Sequence, residues 1–255
     1  MRTRSIWLGL FLLFVLSAVM WASSGGPPQG RAGNPPGNMT CKSSGCHNSF
    51  DLNSGDGSFS INDAPAHYAP GETYPITVTL SDPGQKRWGF QLTVLDGNNR
   101  QAGTVVVTDN TDTQLSDNAG SNPDFIMQRS AGTFAGTNTG PVSWSFNWTA
   151  PSQAGGDVTF YAAGNAANNN GSTSGDYVFT TTITSSPSLC EKGDVLEDGT
   201  INVLDVLTVV NHILDIVPLS EDALCRADCN ADDTINVLDV LGIVNVILDI
   251  SECTP

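Results

Sequence analysis

Short runs of alternating apolar and polar residues dominate the middle of the chain. Ile76, Val78 and Leu80 alternate with Thr77 and Thr79. Trp88, Phe90, Leu92 and Val94 share one face, and Gln91, Thr93 and Leu95 take the other. Trp144, Phe146 and Trp148 alternate with Ser143, Ser145 and Asn147, and the pattern returns in Val158, Phe160 and Ala162 and in Val178, Thr180 and Thr182. A period of two places successive side chains on opposite faces of a strand. Gly, Pro, Asn and Asp clusters separate the runs, which predicts an antiparallel β sandwich over residues 66–186. That span suffices for one hydrophobic core. No βαβ alternation or nucleotide-binding glycine motif interrupts it.

After residue 190 the pattern changes. The octapeptide TINVLDVL occupies residues 200–207 and again 234–241, a repeat period of 34 (234 − 200). Each copy follows an acidic loop and leads into an apolar run, VVNHILDI at 209–216 and IVNVILDI at 243–250. Such an internal repeat marks one supersecondary unit used twice. A twelve-residue calcium loop supplies oxygen ligands from positions 1, 3, 5, 7, 9 and 12, position 7 through its backbone carbonyl. In the second copy these are Asp228, Asn230, Asp232, Thr234, Asn236 and Asp239. In the first they are Asp194, Leu196, Asp198, Thr200, Asn202 and Asp205. Leu196 brings no donor, so two calcium sites are expected, the first weaker. Turn position 6 is Gly199 in one loop and Asp233 in the other.

On these residues the segment 190–255 resembles a type I dockerin, a small α-helical module of paired EF-hand-like calcium loops that docks onto cohesin domains. The resemblance implies Ca2+ binding and a cohesin-like partner. Loop positions 10 and 11, often polar in cellulosomal dockerins, are Val203, Leu204, Val237 and Leu238. They either meet a different partner or pack the two repeats together.

Charge follows the same division. The chain of 255 residues carries a formal net charge of −16. From Cys190 onward there are 14 acidic and 2 basic residues, which accounts for −12 (2 − 14). Cation-coupled folding suits that density. No basic stripe is present, which excludes nucleic acid as a partner.

At the other end Arg2 and Arg4 precede the apolar run 6–20 and small residues around 22–24. This reads as a secretory signal peptide over 1–24, with an uncleaved anchor as the alternative. No later stretch is long enough to span a membrane, so the mature chain is expected to be secreted or held at a bacterial cell surface, where disulfides persist. Residues 25–40 are Gly/Pro-rich and are expected to form a flexible spacer.

The spacer leads into CKSSGCHNSF, in which Cys41 and Cys46-His47 form a Cys-x4-Cys-His arrangement within a segment at 41–65. Covalent haem attachment uses two thiols and an adjacent axial His, ordinarily with a two-residue gap. The longer gap occurs in some multihaem cytochromes, and Ser43, Ser44 and Gly45 are small enough to bulge outward. Three readings stand: c-type haem, a Cys41–Cys46 disulfide, or another metal. The region from here to Ser186 resembles the Reeler-like domains of bacterial exported proteins, also grouped with choice-of-anchor domains. The matching pieces are YAPGETYPITVTL (68–80), GFQLTVLD (89–96) and residues 146–184. In that family a Cys-His haem-type motif often precedes the sandwich, and the resemblance favours haem c with His47 as proximal ligand. His67, Met39 and Met127 are the candidates for a second ligand.

Catalysis has little support. Between residues 50 and 189 the single Glu is Glu72, and most Asp residues lie in turns such as 82–84 and 96–98. A glycosidase needs two opposed carboxyls, which this pattern does not offer. The aromatic row of Trp144, Phe146 and Trp148 is expected to be core, with a sugar-stacking platform as the alternative. Among Cys190, Cys225, Cys229 and Cys253, dockerin-like symmetry would join Cys190 to Cys253 and leave Cys225 with Cys229. The expected protein is a secreted, non-catalytic calcium-binding adaptor. An extracellular monohaem electron-transfer protein and a carbohydrate-binding component of a polysaccharide-degrading complex, with a glycan or cell-surface ligand, are the alternatives.

Overall fold

The computed structural model describes residues 24–116, 123–153, 155–188 and 190–253. The expected signal peptide lies outside them except for Ser24. Among the described residues there are ten strands: β1 (Ser58–Asn62), β2 (His67–Tyr68), β3 (Thr73–Ser81), β4 (Arg87–Asp96), β5 (Thr104–Val107), β6 (Thr113–Leu115), β7 (Ile126–Gln128), β8 (Val142–Thr149), β9 (Val158–Ala167) and β10 (Tyr177–Pro187). They form a four-stranded sheet, β1-β3-β8-β5, and a six-stranded sheet, β2-β10-β9-β4-β7-β6. The sandwich expected from period-two alternation is therefore present.

The alternating faces meet between the sheets. Phe90 of β4 stacks on Trp144 of β8 with ring centroids 4.6 Å apart, and Trp148 meets Phe160 of β9 edge-on at 5.0 Å. Trp144, Phe146 and Trp148 are all buried, so the aromatic row is core and offers no sugar platform. Trp144 and Trp148 direct their indole N–H groups to the carbonyls of Gly132 (2.8 Å) and Ala102 (2.9 Å), which satisfies the polar end of each ring.

Strand β4 departs from simple alternation: its residues from Trp88 to Leu95 are all buried. The Gly/Pro-rich segment covers its outer face. Gln91 donates to Pro28 O (3.1 Å) and accepts from Arg31 N, Gln29 reaches Ser116 O (2.9 Å), and Ala32 is buried against Phe125 and Met127. Gly26, at φ +110°, passes so close to Met127 that a Cβ would collide with its sulfur. Residues 25–40 are thus a fitted cover and not the flexible spacer expected. Their glycines permit close backbone approach, and their prolines limit the entropy lost on packing.

Asp82 follows β3 and is buried, with Oδ2 lacking a hydrogen-bond partner. Burial, reinforced by Asp56, pushes its carboxyl up to about 6. Because the folded state holds this proton more tightly than the unfolded chain, stability is greatest below the ordinary carboxylate range. It declines as pH rises through about 4 to 6. Asp82→Asn is expected to raise stability at pH 7 by roughly 1–2 kcal/mol and to flatten this slope. Urea melts at pH 4 and pH 7 check it.

The described residues of the C-terminal segment form three helices, α1 (Val203–Ile213), α2 (Glu221–Ala227) and α3 (Val237–Ile247). Val209 and Ile243, 34 residues apart (243 − 209), are fully buried at equivalent places in its core, with Val195, Ala223, Ala227 and Cys229 around them. The disulfides are Cys190–Cys225 and Cys229–Cys253, with Cα separations of 5.9 and 4.7 Å. This corrects the expected Cys190–Cys253 and Cys225–Cys229 pairs. Cys190 is fastened to α2 and Cys253 to the start of the second acidic loop, instead of to each other.

Candidate functional site: a cavity beside the Cys-His motif and two acidic loops

Ser43–Gly45 forms a short 3-10 turn between the two cysteines, and His47 N donates to Cys41 O at 3.1 Å. The residues that follow are pinned to the start of β10. Gly175 N donates to Ser49 Oγ (2.8 Å), Asn53 N donates to Val178 O (2.9 Å), and Phe50 stacks on Tyr177 at 4.2 Å. The motif therefore sits at the end of the six-stranded sheet where β9 finishes and β10 begins.

There His47 Nδ1 lies 2.6 Å from Asp176 Oδ2. The other carboxylate oxygen accepts from Asn168 N at 3.1 Å, and the Asp176 side chain is fully buried. Asn165 Nδ2 stands farther off, 3.4 Å from the same ring nitrogen, so Nδ1–H is assigned as the donor to the Asp176 carboxylate. Nε2 is then the nitrogen available to a ligand.

His47, Cys41, Cys46 and Asp176 line a cavity of about 590 Å³. Its size lies within the ~300–1,000 Å³ of small-molecule and cofactor sites. Pro27 and Pro28 of the cover and Trp88 and Phe90 of β4 supply apolar wall, and Arg31 and Arg87 supply positive charge. Cys41 and Cys46 are free thiols and do not form the disulfide weighed above. Burial pushes the Cys41 thiol up to about 12, so it stays a thiol in the folded chain. Among the described residues, the three-residue cluster with ligand atoms within 4.8 Å of one another is Asp228, Asp232 and Asp239. The Cys-His motif is thus not a preassembled tetrahedral metal site.

His67 is not brought to this cavity. It pairs with Ser186 near the far end of β10, nine residues (186 − 177) beyond Tyr177, or about 30 Å along the strand. Met39 is exposed, with its sulfur against Arg31, and Met127 is buried beneath the cover. None of the three lines the cavity. Asp176 escaped sequence reasoning: it lies 129 residues from His47 in an Asn/Gly-rich loop that reads as a long turn.

In the second acidic loop Asp228 Oδ1 and Oδ2 accept from Asp232 N (3.1 Å) and Asp233 N (3.3 Å), and Asp232 Oδ1 accepts from Thr234 N (2.9 Å). The first loop repeats these bonds: Asp194 accepts from Asp198 N and Gly199 N, and Asp198 accepts from Thr200 N. Each loop closes on a capping box. Asn202 and Asn236 are N-caps of α1 and α3, and the side chains of Asp205 and Asp239 return to their backbone N–H groups at 2.9 Å. Asp205 and Asp239 also accept from Leu196 N (2.9 Å) and Asn230 N (3.2 Å), across their loops. Both are fully buried. Val203, Leu204, Val237 and Leu238 are 51–69% exposed, so they do not pack the repeats together.

A Reeler domain is matched over residues 39–167 and a dockerin type I domain over residues 192–248. The chain belongs to the Reeler family. Strand β10 lies beyond the matched span but completes the sheet, pairing with β9 from Tyr177 to Ser185. The dockerin type I domain implies calcium binding. Among solved structures, the chain is similar to the Reelin-N domain of F-spondin (22% identity, TM-score 0.37, covering 56% of this chain and 94% of that one). It is also similar to the human F-spondin reeler domain (23%, TM-score 0.38, 55% and 94%). A cohesin module from a Clostridium perfringens family 33 glycoside hydrolase gives 7% identity and TM-score 0.33 over 52% and 96%. No curated protein matches the chain.

Proposed function

We propose that this is an exported, non-catalytic adaptor whose dockerin binds two calcium ions and docks onto a cohesin-like domain, with the Reeler sandwich as its cargo. The observation that carries the reading is the convergence of the Asp228, Asp232 and Asp239 carboxylates within a loop closed by hydrogen bonds. Three carboxylates, with Asn230, Thr234 and Asn236 beside them, suit a hard cation that prefers oxygen. The first site uses Asp194, Asp198, Thr200, Asn202 and Asp205 and binds more weakly, because Leu196 supplies no donor. Val203, Leu204 and Leu207 on α1 and Val237, Leu238 and Leu241 on α3 form two equivalent exposed apolar patches. A partner that covers them is apolar at its centre. Retention of the full chain on an immobilised cohesin-type domain in calcium, lost in chelator, is the expected result. Equal retention in both ends the reading.

A second reading concerns the cavity, and a specific observation favours it. Two thiols and a histidine line one cavity, both thiols are unpaired, and the histidine is backed by a buried carboxylate. These residues fit a covalently attached haem. Cys41 and Cys46 would form the thioethers, His47 would supply the iron ligand, and Arg31 and Arg87, which line the same cavity, would pair with carboxylates of the group. Such a group supplies one-electron transfer when bound. Expression with haem-attachment machinery is expected to give a haem spectrum and haem mass that survive denaturation. A colourless chain of unmodified mass removes this reading and leaves the adaptor.

A further inference from the structure

The geometry points to Asp176 as a positioning residue for His47: it fixes the ring proton on Nδ1, presents Nε2 to the cavity and favours the oxidised state of an iron held there. The inference rests on the haem reading above and goes beyond it, because neither the Cys-His motif nor the matched domain reaches Asp176, which lies past residue 167.

Three observations carry it. The contact is short, 2.6 Å, and its carboxylate is withdrawn completely from water. Burying a carboxylate is costly unless it is paired, so a histidine within reach is its natural partner. The carboxylate is also aimed from two sides. Asn168 N holds Oδ1 at 3.1 Å, and the backbone on either side of Asp176 is tied to the motif segment through Ser49 and Tyr177. Asp176 cannot turn away without dismantling the loop. Finally, Asp176 and His47 line the same cavity as the two free thiols.

A metal-bound imidazole whose other nitrogen donates to a carboxylate becomes a stronger donor, and its orientation is fixed. A negative charge behind the ring stabilises the higher charge of ferric over ferrous iron, which lowers the reduction potential. The couple exchanges one electron with an electrode, no atom is transferred, and the ring proton stays between Nδ1 and Asp176 Oδ2.

The test uses the full chain, with and without attached haem. In the unloaded chain, ¹H–¹⁵N correlation of His47 is expected to show the neutral ring protonated on Nδ1. In the loaded chain, Asp176→Asn is expected to raise the midpoint potential by a tenfold or larger change in the ferric-to-ferrous ratio, equivalent to about 59 mV for one electron. A loaded wild type whose potential is unchanged by Asp176→Asn overturns the inference and spares the haem reading. A wild type that attaches no haem overturns both. Should Asp176→Asn fail to fold, the wild-type tautomer decides: a ring protonated on Nε2 overturns the inference, and one protonated on Nδ1 supports it.

Discussion

Asp239→Ala is expected to unfold the C-terminal module in chelator and to weaken it in calcium. Asp239 is fully buried and accepts from the N–H groups of Asn236 and Asn230. Alanine strands both donors, each costing up to about 1–3 kcal/mol, the upper end applying to full burial and these two being partly buried. The sum, up to roughly 2–6 kcal/mol, is comparable with the whole stability of a small module. Asp232 provides the contrast, because it is exposed and lies outside the capping box. Asp232→Ala is expected to lose calcium-dependent stabilisation while changing the chelated state little, since that contribution scales with the logarithm of calcium over its dissociation constant. Helical circular dichroism during urea unfolding, in calcium and in chelator, separates the two. Identical behaviour of both variants would show that Asp239 is a ligand without a structural role.

Trp148→Ala is expected to be the most damaging single change in the sandwich. The ring is fully buried, meets Phe160 at 5.0 Å across the sheets and Tyr68 at 5.7 Å, and donates to Ala102 O. Loss of a buried aromatic of this size costs about 3–5 kcal/mol, and the abandoned carbonyl adds to it. The Tm of the sandwich transition should fall by on the order of 10 °C. Trp148→Phe keeps an aromatic surface against Phe160 but orphans Ala102 O, so an intermediate loss is expected. Val106→Ala, at an exposed position on β5, should stay within about 0.5 kcal/mol of wild type. Calorimetry of the full chain reads all three, and a Trp148→Ala loss as small as that of Val106→Ala would contradict the packing described.

The outcome bears on the site as well as the core. Trp88 and Phe90 line the cavity beside the Cys-His motif, and Phe90 stacks on Trp144 in the sandwich interior. The cavity wall is therefore the outermost layer of the core, held by the packing that sets the sheet.

What the sequence determined by itself were the features written in local periodicity. Alternation on β3, β8 and β9 marked which residues face inward, because adjacent side chains on a strand point to opposite faces. On β10 the expected row of Val178, Thr180 and Thr182 lies opposite the core, which takes Tyr177, Phe179 and Ile183, and on β4 both faces are buried. The 34-residue repeat fixed two equivalent loops and helices, and the Asx residues at 202 and 236 and the acids at 205 and 239 close both capping boxes in the same way. Tertiary structure decided everything that depends on contacts between distant positions. Residues 25–40 have the composition of a linker, yet Gln91 and Gln29 anchor them across the sheet. The cysteine pairs were settled by which Cα atoms approach within 5.9 Å, a distance that no spacing encodes. Strand register keeps His67 away from the cavity, and Asp176 stands beside His47 through the meeting of two segments 129 residues apart. Periodicity reports the direction in which a side chain points, whereas a site requires knowing what stands opposite it, and only the folded chain supplies that.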